Sequence, residues 1–322
     1  MEKLTIAIDA MGGDLGPAAV VEGAVMAKKA FPFLEPVLFG HEETIRETAA
    51  FTPDLQVIHA ATIIEPSESP TLAFRKKKDS SIVMGLKYVK EGNASGFVSS
   101  GSTGALLTGA TILLGRKQGI ERPALGTVLP TQTGYVLLMD CGANMDCKPS
   151  YLAQFGEIGA EYMQKVMDIK NPRVGLINVG TEEEKGNVTT KEAFSLLKAS
   201  SLNFVGNIEG REILSGNIDV AVCDGFTGNV LLKFTEGFAK SMMSMIKEEL
   251  MSSPVSKVGA LLAKGAFKNL KKRFDYREVG GAPFLGLNHL VIKAHGSSDA
   301  LAIKNAIRQC VIYSQKGNEN GI

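Results

Sequence analysis

Short apolar runs, each closed by a polar glycine-bearing turn and followed by a helical pattern, recur along this chain and restrict the folds open to it. The sharpest instance is Val98-Ser-Ser-Gly-Ser-Thr-Gly-Ala105, with Gly96, Phe97 and Val98 before it and Leu106, Leu107 and Ile112–Leu114 at helical spacing after it. Leu4–Ile8, Val37–Phe39, Leu55–Ile58, Ala124–Leu129, Tyr135–Met139, Arg173–Val179, Asn203–Val205, Asp219–Cys223 and Leu290–Ala294 read as further strands. Helices are predicted near His41–Ala50, Ser81–Lys90, Tyr151–Met167, Thr189–Ala199 and Ser298–Tyr313. Strands apolar on both faces and alternating with helices predict an α/β chain: a three-layer α/β/α sandwich around a mostly parallel sheet. The Leu125–Met139 pair, joined through Thr131–Gly134, is expected to form an antiparallel hairpin inside it. With 322 residues, 44% of them hydrophobic, residues 1–322 can bury one core as one α/β/α unit.

Lys and Arg total 35 against 34 Asp and Glu, so no global field favours nucleic acid, and an anionic ligand must be held by local groups. The four cysteines form no Cys-x-x-Cys pair, and Met1 leads into a strand without a signal peptide, so a reducing cytoplasm is expected. No apolar run approaches bilayer-spanning length.

In an open α/β sheet, ligands bind outside the carboxyl ends of the strands. The turns Asp9–Gly13, Ser99–Gly104, Asp140–Asn144, Asn178–Asn187, Cys223–Asn229 and Lys293–Asp299 all follow predicted strands, so they are expected to share one pocket. Gly101 and Gly104 let backbone approach a ligand, while Ser100, Ser102 and Thr103 add hydroxyls beside the free N–H groups of a first helical turn. Either an anion sits there, or Ser102 or Thr103 only caps its own helix. The turn is neither a Walker loop nor a dinucleotide Gly-x-Gly-x-x-Gly. Asp9 and Asp14 gather no His or Cys, so no metal is expected.

One region breaks the rhythm. Glu236–Ser253 reads as a methionine-rich helix, and Pro254 opens a second running to about Phe274, so residues 235–279 are expected to protrude as a helical hairpin. Lys257, Lys264 and Lys268 form a basic stripe, and Val258, Leu261 and Leu262 an apolar one. Such a hairpin suits an anionic membrane surface, a protein partner or a dimer mate.

The chain resembles the bacterial phosphate acyltransferases of the PlsX type. The resemblance runs through Ile6-Ala-Ile-Asp-Ala-Met-Gly-Gly-Asp14, Ser99–Ala105, Asp140-Cys-Gly-Ala-Asn144, Gly180–Asn187, Gly206–Arg211, Asp224–Val230, Gly280-Gly-Ala-Pro283 and Ile292–Asp299. It implies a fold like isopropylmalate dehydrogenase and phosphotransacetylase, and transfer of a long acyl group from acyl carrier protein to inorganic phosphate. The acyl phosphate would feed phosphatidic acid and phospholipid synthesis. It further implies a homodimer without cofactor, at the inner face of the cell membrane, beside a membrane acyltransferase that uses the acyl phosphate.

Phosphate is already a nucleophile and a thiol of pKa about 8.5 leaves readily, so positioning and oxyanion stabilisation are what such a site must supply. Lys185 suits the phosphate or the oxyanion, and Asp224 could orient Lys185 or His295 or simply cap a helix. His295 could donate to the thiolate or be structural. Asn144 and Asn229 are neutral donors; Asp9, Gly12, Ser100, Gly101, Ser102, Thr103, Gly104, Thr181 and Asn187 complete the expected phosphate and substrate contacts. Covalent transfer through Cys141 or Cys223 is the mechanistic rival. The functional alternatives are a nicotinamide-dependent hydroxyacid dehydrogenase of related fold and a non-catalytic peripheral membrane scaffold.

Overall fold

The structure, a computed structural model, describes residues 3–320. Met1, where the chain was expected to enter its first strand without a leader, lies outside the described residues. The first part runs β1 (Leu4–Asp9), α1 (Gly16–Ala30), β2 (Leu34–Gly40), α2 (Glu42–Arg46), β3 (Gln56–His59), α3 (Pro70–Lys76), α4 (Ser81–Lys90), β4 (Gly96–Ser99) and α5 (Thr103–Leu113). Next come β5 (Ala124–Pro130), β6 (Tyr135–Met139), α6 (Pro149–Lys165), β7 (Arg173–Ile177), α7 (Val188–Ala199), β8 (Asn203–Ile208) and β9 (Val220–Val222). Then follow α8 (Gly225–Leu250), α9 (Pro254–Leu262), α10 (Lys264–Arg273), α11 (Tyr276–Val279), β10 (Gly281–Leu285), β11 (Leu290–Ala294) and α12 (Ala300–Asn320).

The strands form one sheet in the order β3-β2-β1-β4-β11-β10-β5-β6-β9-β7-β8. Helices cover both faces, which is why the strands read as continuous apolar runs. Ala7 and Phe97 enter one cluster, whereas Ile6, Ile8 and Val98 enter another, so neighbouring side chains on β1 and β4 serve opposite faces. The expected α/β/α sandwich is present.

Directions within the sheet are less uniform than expected. β1 to β4 and β11 are parallel, but β10 is antiparallel to both β11 and β5, and β5 to β6. β6, β9, β7 and β8 therefore run opposite to β1, β4 and β11.

Three elements differ from their expected form for local reasons. β10 is a strand that local pattern does not predict, because Gly281 and Pro283 resemble loop. It exists because Gly281–Pro283 pair with β11 and only Phe284–Leu285 pair with β5, so the strand changes partner where proline lacks a donor. α8 begins at Gly225 instead of Glu236, and its first two glycines, Gly225 and Gly228, are there for proximity. A Cβ on Gly228 would lie 1.9 Å from the Asp140 carbonyl oxygen. The helix after Pro254 divides at Ala263, flanked by Gly259 and Gly265, where propensity is weakest.

Candidate active site

Three turns meet at the carboxyl ends of β1, β4 and β11. Asp9 is 2% exposed; its carboxylate accepts from Met11 N at 3.1 Å and from Ser99 Oγ at 2.7 Å. Burial raises the Asp9 pKa above its ordinary value, while hydrogen bonds from Ser99, Ser81, Met11 and Gly12 act against that shift. Ser100 Oγ donates to Gly12 O at 2.9 Å, and Asp14 N donates to Gly296 O at 2.7 Å, which ties the three turns together. A Cβ on Gly12 would sit 2.5 Å from Gly101 N, so this junction admits only glycine there.

The Ser102 side chain accepts from Ala105 N at 3.4 Å as the cap of α5. Of the two readings open for this turn, capping is the one the Ser102 hydroxyl serves. Thr103 instead lines a cleft, described below.

Lys293 opens one of the turns expected at the pocket but is not among the expected site residues, because a single polar residue in Leu290-Val-Ile-Lys-Ala294 reads as an ordinary strand position. The signal was available: lysine is rarely buried in a strand covered on both faces. The pairing of β11 with β4 sets Lys293 beside Ser99. Its Nζ donates to Ser100 O at 3.2 Å and to Ala294 O. Burial first, and then Lys233, push its pKa down to about 8, with Asp9 and Asp14 pulling the other way.

His295 follows directly. Its Nε2 lies 2.9 Å from Lys233 Nζ and its Nδ1 2.8 Å from Ser297 Oγ. Ser297 N also donates to Nδ1 at 3.2 Å, and the contacts of the ring with Lys233 and with the Ser297 hydroxyl take their direction from its tautomer. Burial and the adjacent Lys233 charge lower the His295 pKa, so the ring is neutral at neutral pH. Lys233 also pairs with Glu236 at 2.9 Å.

A second group of turns follows β6 and β9. Asp140, fully buried, accepts from Leu125 N at 2.9 Å, Ala143 N at 3.2 Å, Asn144 N at 2.6 Å and Asn144 Nδ2 at 3.0 Å. Asn144 Nδ2 also donates to Pro123 O at 2.9 Å. Asn144, expected as a substrate donor, thus has its amide hydrogens engaged inside the protein. Asp224 caps α8, accepting from Thr227 N at 2.7 Å and Thr227 Oγ1 at 3.1 Å. Its hydrogen bonds hold the helix start, not Lys185 or His295.

The two groups are joined by α8, which returns from the Asp140 turn to the Lys293 side and carries Lys233 to His295. Between α8, β5 and the end of β11 lies a cleft of about 360 Å³. Thr103, Asn229, Lys233, Lys293 and His295 are among its polar groups near β11, with Glu236, Arg273 and Asp275 farther along; Leu125, Leu129, Leu232, Ala239, Phe274 and Val279 supply apolar wall. Size and lining are those of a small-molecule site.

The third expected group does not reach this cleft within one chain. Lys185 and Thr181 are exposed on the turn after β7, and the Asn187 side chain caps α7 by accepting from Thr190 N at 2.9 Å. Five strands separate β4 from β7, on the order of 30 Å at the usual strand spacing. The expectation that Lys185 stands beside Ser100–Gly104 is therefore not met inside a single chain, because the reversal at β10, β5 and β6 sends the end of β7 to the other edge.

The hairpin presents Val258, Leu261 and Leu262 at 61%, 70% and 84% exposure, with Lys257, Lys264 and Lys268 exposed nearby. Among the described residues no helix is long and apolar enough to cross a membrane.

The family model described as fatty acid synthesis protein matches residues 4–318. A phosphate acyltransferase from Clostridium beijerinckii is 52% identical over 316 residues, covering 96% of this chain and 95% of that protein. One from Clostridium perfringens is 49% identical over 99% of this chain and 94% of its own length. Among solved structures, a phosphotransacetylase from Streptococcus pyogenes superposes with a TM-score of 0.64 at 19% identity, covering 98% of this chain and 94% of that chain, a likeness of fold. On this footing the chain belongs to the fatty acid synthesis protein family, the PlsX-type phosphate acyltransferases, and is an acyltransferase.

Proposed function

We propose that the chain transfers a long acyl group from the thioester of acyl carrier protein to inorganic phosphate, giving an acyl phosphate for phospholipid synthesis. The observation that carries this reading is a half-buried lysine, Lys293, at the head of a largely apolar cleft. Phosphate enters beside Lys293, Lys233 and the Thr103 end of α5, where cations and a helix N-terminus favour an anion. A phosphate oxygen attacks the thioester carbonyl; the new C–O bond forms, the C–S bond breaks, and the thiolate leaves with the electron pair. Lys293, as an ammonium, stabilises the carbonyl oxygen as it becomes negative. Neutral His295 keeps Lys233 oriented and is placed to relay a proton to the departing thiolate.

Direct transfer is favoured over an acyl-enzyme. Burial pushes the Cys141 thiol up to about 12 and Cys223 well above its ordinary value, so neither is a thiolate at neutral pH. Cys223→Ala is expected to keep turnover within about threefold of the parent chain; a folded but inactive variant would establish the covalent route. The function itself is tested by measuring acyl phosphate formed from acyl carrier protein thioester and phosphate, compared with the coenzyme A thioester. Thioester loss that does not depend on phosphate would sink the reading.

The same proposal includes a homodimer at the inner face of the cell membrane, near a membrane acyltransferase that consumes the acyl phosphate. The outward face of α8 supports a mate: Phe226, Val230, Phe234, Phe238, Met242 and Met245 are exposed at near-helical repeat, and Phe234 stacks on Phe238 at 5.9 Å. The basic, apolar hairpin supports membrane contact. Reversing Lys257, Lys264 and Lys268 to Glu is expected to lower binding to anionic vesicles at least about tenfold. Unchanged binding would remove the anchor, and a loss of activity with carrier protein in solution would assign the hairpin to that partner.

A further inference from the structure

The cleft has two directions leading away from Lys293, and they differ in character. Toward the Asp140 turn it is walled by Leu125, Cys141, Gly142, Met145 and the Asn229 amide. Toward the base of the hairpin it is walled by Leu129 and Pro130 of β5, by Phe274 and Val279, and by Thr235 and Ala239 of α8. Leu232, Thr235, Glu236 and Ala239 recur at three- and four-residue steps, so one face of α8 forms that wall while Phe234 and Phe238 face outward. From Lys233 to Ala239 this wall extends about 9 Å along the helix axis.

Its charged groups already have partners. Glu236 pairs with Lys233, Asp275 pairs with Arg277, and the Arg273 guanidinium donates to Thr131 O and, at 3.1 Å, to Gln132 O. The Arg273 contact also ties the base of the hairpin to the turn between β5 and β6, closing the far end beside Phe274. Small residues on α8 leave the space open: a larger side chain at Ala239 would project into it.

We infer that the groove from Lys293 to Phe274, between β5 and α8, holds the alkyl chain of the acyl donor, and that Ala239 with Leu129 and Phe274 sets how long a chain fits. The assignment rests on the donor being a long-chain thioester. From a thioester carbonyl held at Lys293, the Leu129, Ala239, Phe274 and Val279 side chains give the acyl chain an apolar wall toward the hairpin. Water released from both chain and wall drives the seating.

The test is the chain-length profile of Ala239→Trp, with butyryl and palmitoyl thioesters of acyl carrier protein as probes. The palmitoyl-to-butyryl ratio of kcat/KM is expected to fall at least about tenfold, since a hydrophobic pocket distinguishes even single methylenes measurably. A folded variant that keeps the parent ratio overturns the assignment. So does one that loses both substrates equally, because Ala239 would then act on the reaction instead of on chain length. Ala239→Val intrudes less, and a smaller fall in the same ratio decides the matter if the tryptophan variant does not fold. Failure of the function reading would look different: the parent chain would make no acyl phosphate from either thioester.

Discussion

Lys293→Met lowers turnover by about 100- to 1000-fold while the chain stays folded, the loss expected when one preorganised donor to a developing oxyanion is removed. Methionine keeps the length and apolar stem of lysine and deletes only the charge, so the cleft retains its shape. The ammonium donates to Ser100 O and Ala294 O and feels the Asp9 charge, at the wall of the cleft. Its pKa falls from an ordinary 10.5 to about 8, which sets two signs. Below about pH 8 the group is charged in both folded and unfolded chains, and its burial works against the fold. Between about 8 and 10.5 the folded chain has released the proton and the unfolded chain has not, so stability rises with pH. Lys293→Met should thus unfold at the same or a higher temperature than the parent at neutral pH. Activity moves the other way: kcat/KM for phosphate falls as pH rises through about 8, because the ammonium is lost. That alkaline limb disappears in Lys293→Arg, whose guanidinium does not titrate there. Near-parental turnover by a folded Lys293→Met would end the assignment.

Asp140→Ala is the second large effect, and it falls on stability. The carboxylate accepts from the backbone N–H groups of Leu125, Ala143 and Asn144 and from the Asn144 amide, at 2.6–3.2 Å. Removing it strands these largely buried donors, at a cost of about 3–5 kcal/mol. The loss spreads, because Asn144 O accepts from Gly225 N at 2.7 Å and Gly228 packs on the Asp140 carbonyl, so the start of α8 rests on this turn. Asp140→Asn keeps one acceptor and should fall between. The midpoint of denaturant unfolding measures both; an Asp140→Ala midpoint within error of the parent would show that the four hydrogen bonds contribute little.

Local pattern carried much of the architecture. β6, α4 and β11 fall where periodicity put them, because apolar alternation and a capping residue such as Ser80 act within a few neighbours. The same locality explains the errors. Gly225 and Gly228 look like turn residues to any window, yet they serve a contact with the turn after β6, more than eighty positions earlier in the chain. Pro283 looks like a breaker, yet it sits where a strand exchanges neighbours. Asn144 and Asp224 have the right chemistry for substrate, and only their hydrogen-bond partners show that they hold the turn and the helix start.

By itself the sequence determined the layered α/β plan, the polar turns at strand ends and the family, since each rests on short-range spacing or on long runs of matching residues. Tertiary structure decided which turns share a cleft. Strand neighbours are chosen by pairing between distant segments, and one antiparallel passage through β10, β5 and β6 reverses every strand beyond it. That reversal removes Lys185 from the Ser100–Gly104 turn within the chain. Pairing of β11 with β4 and β10 sets Lys293 beside Ser99, turning a strand lysine into the cation at the head of the cleft.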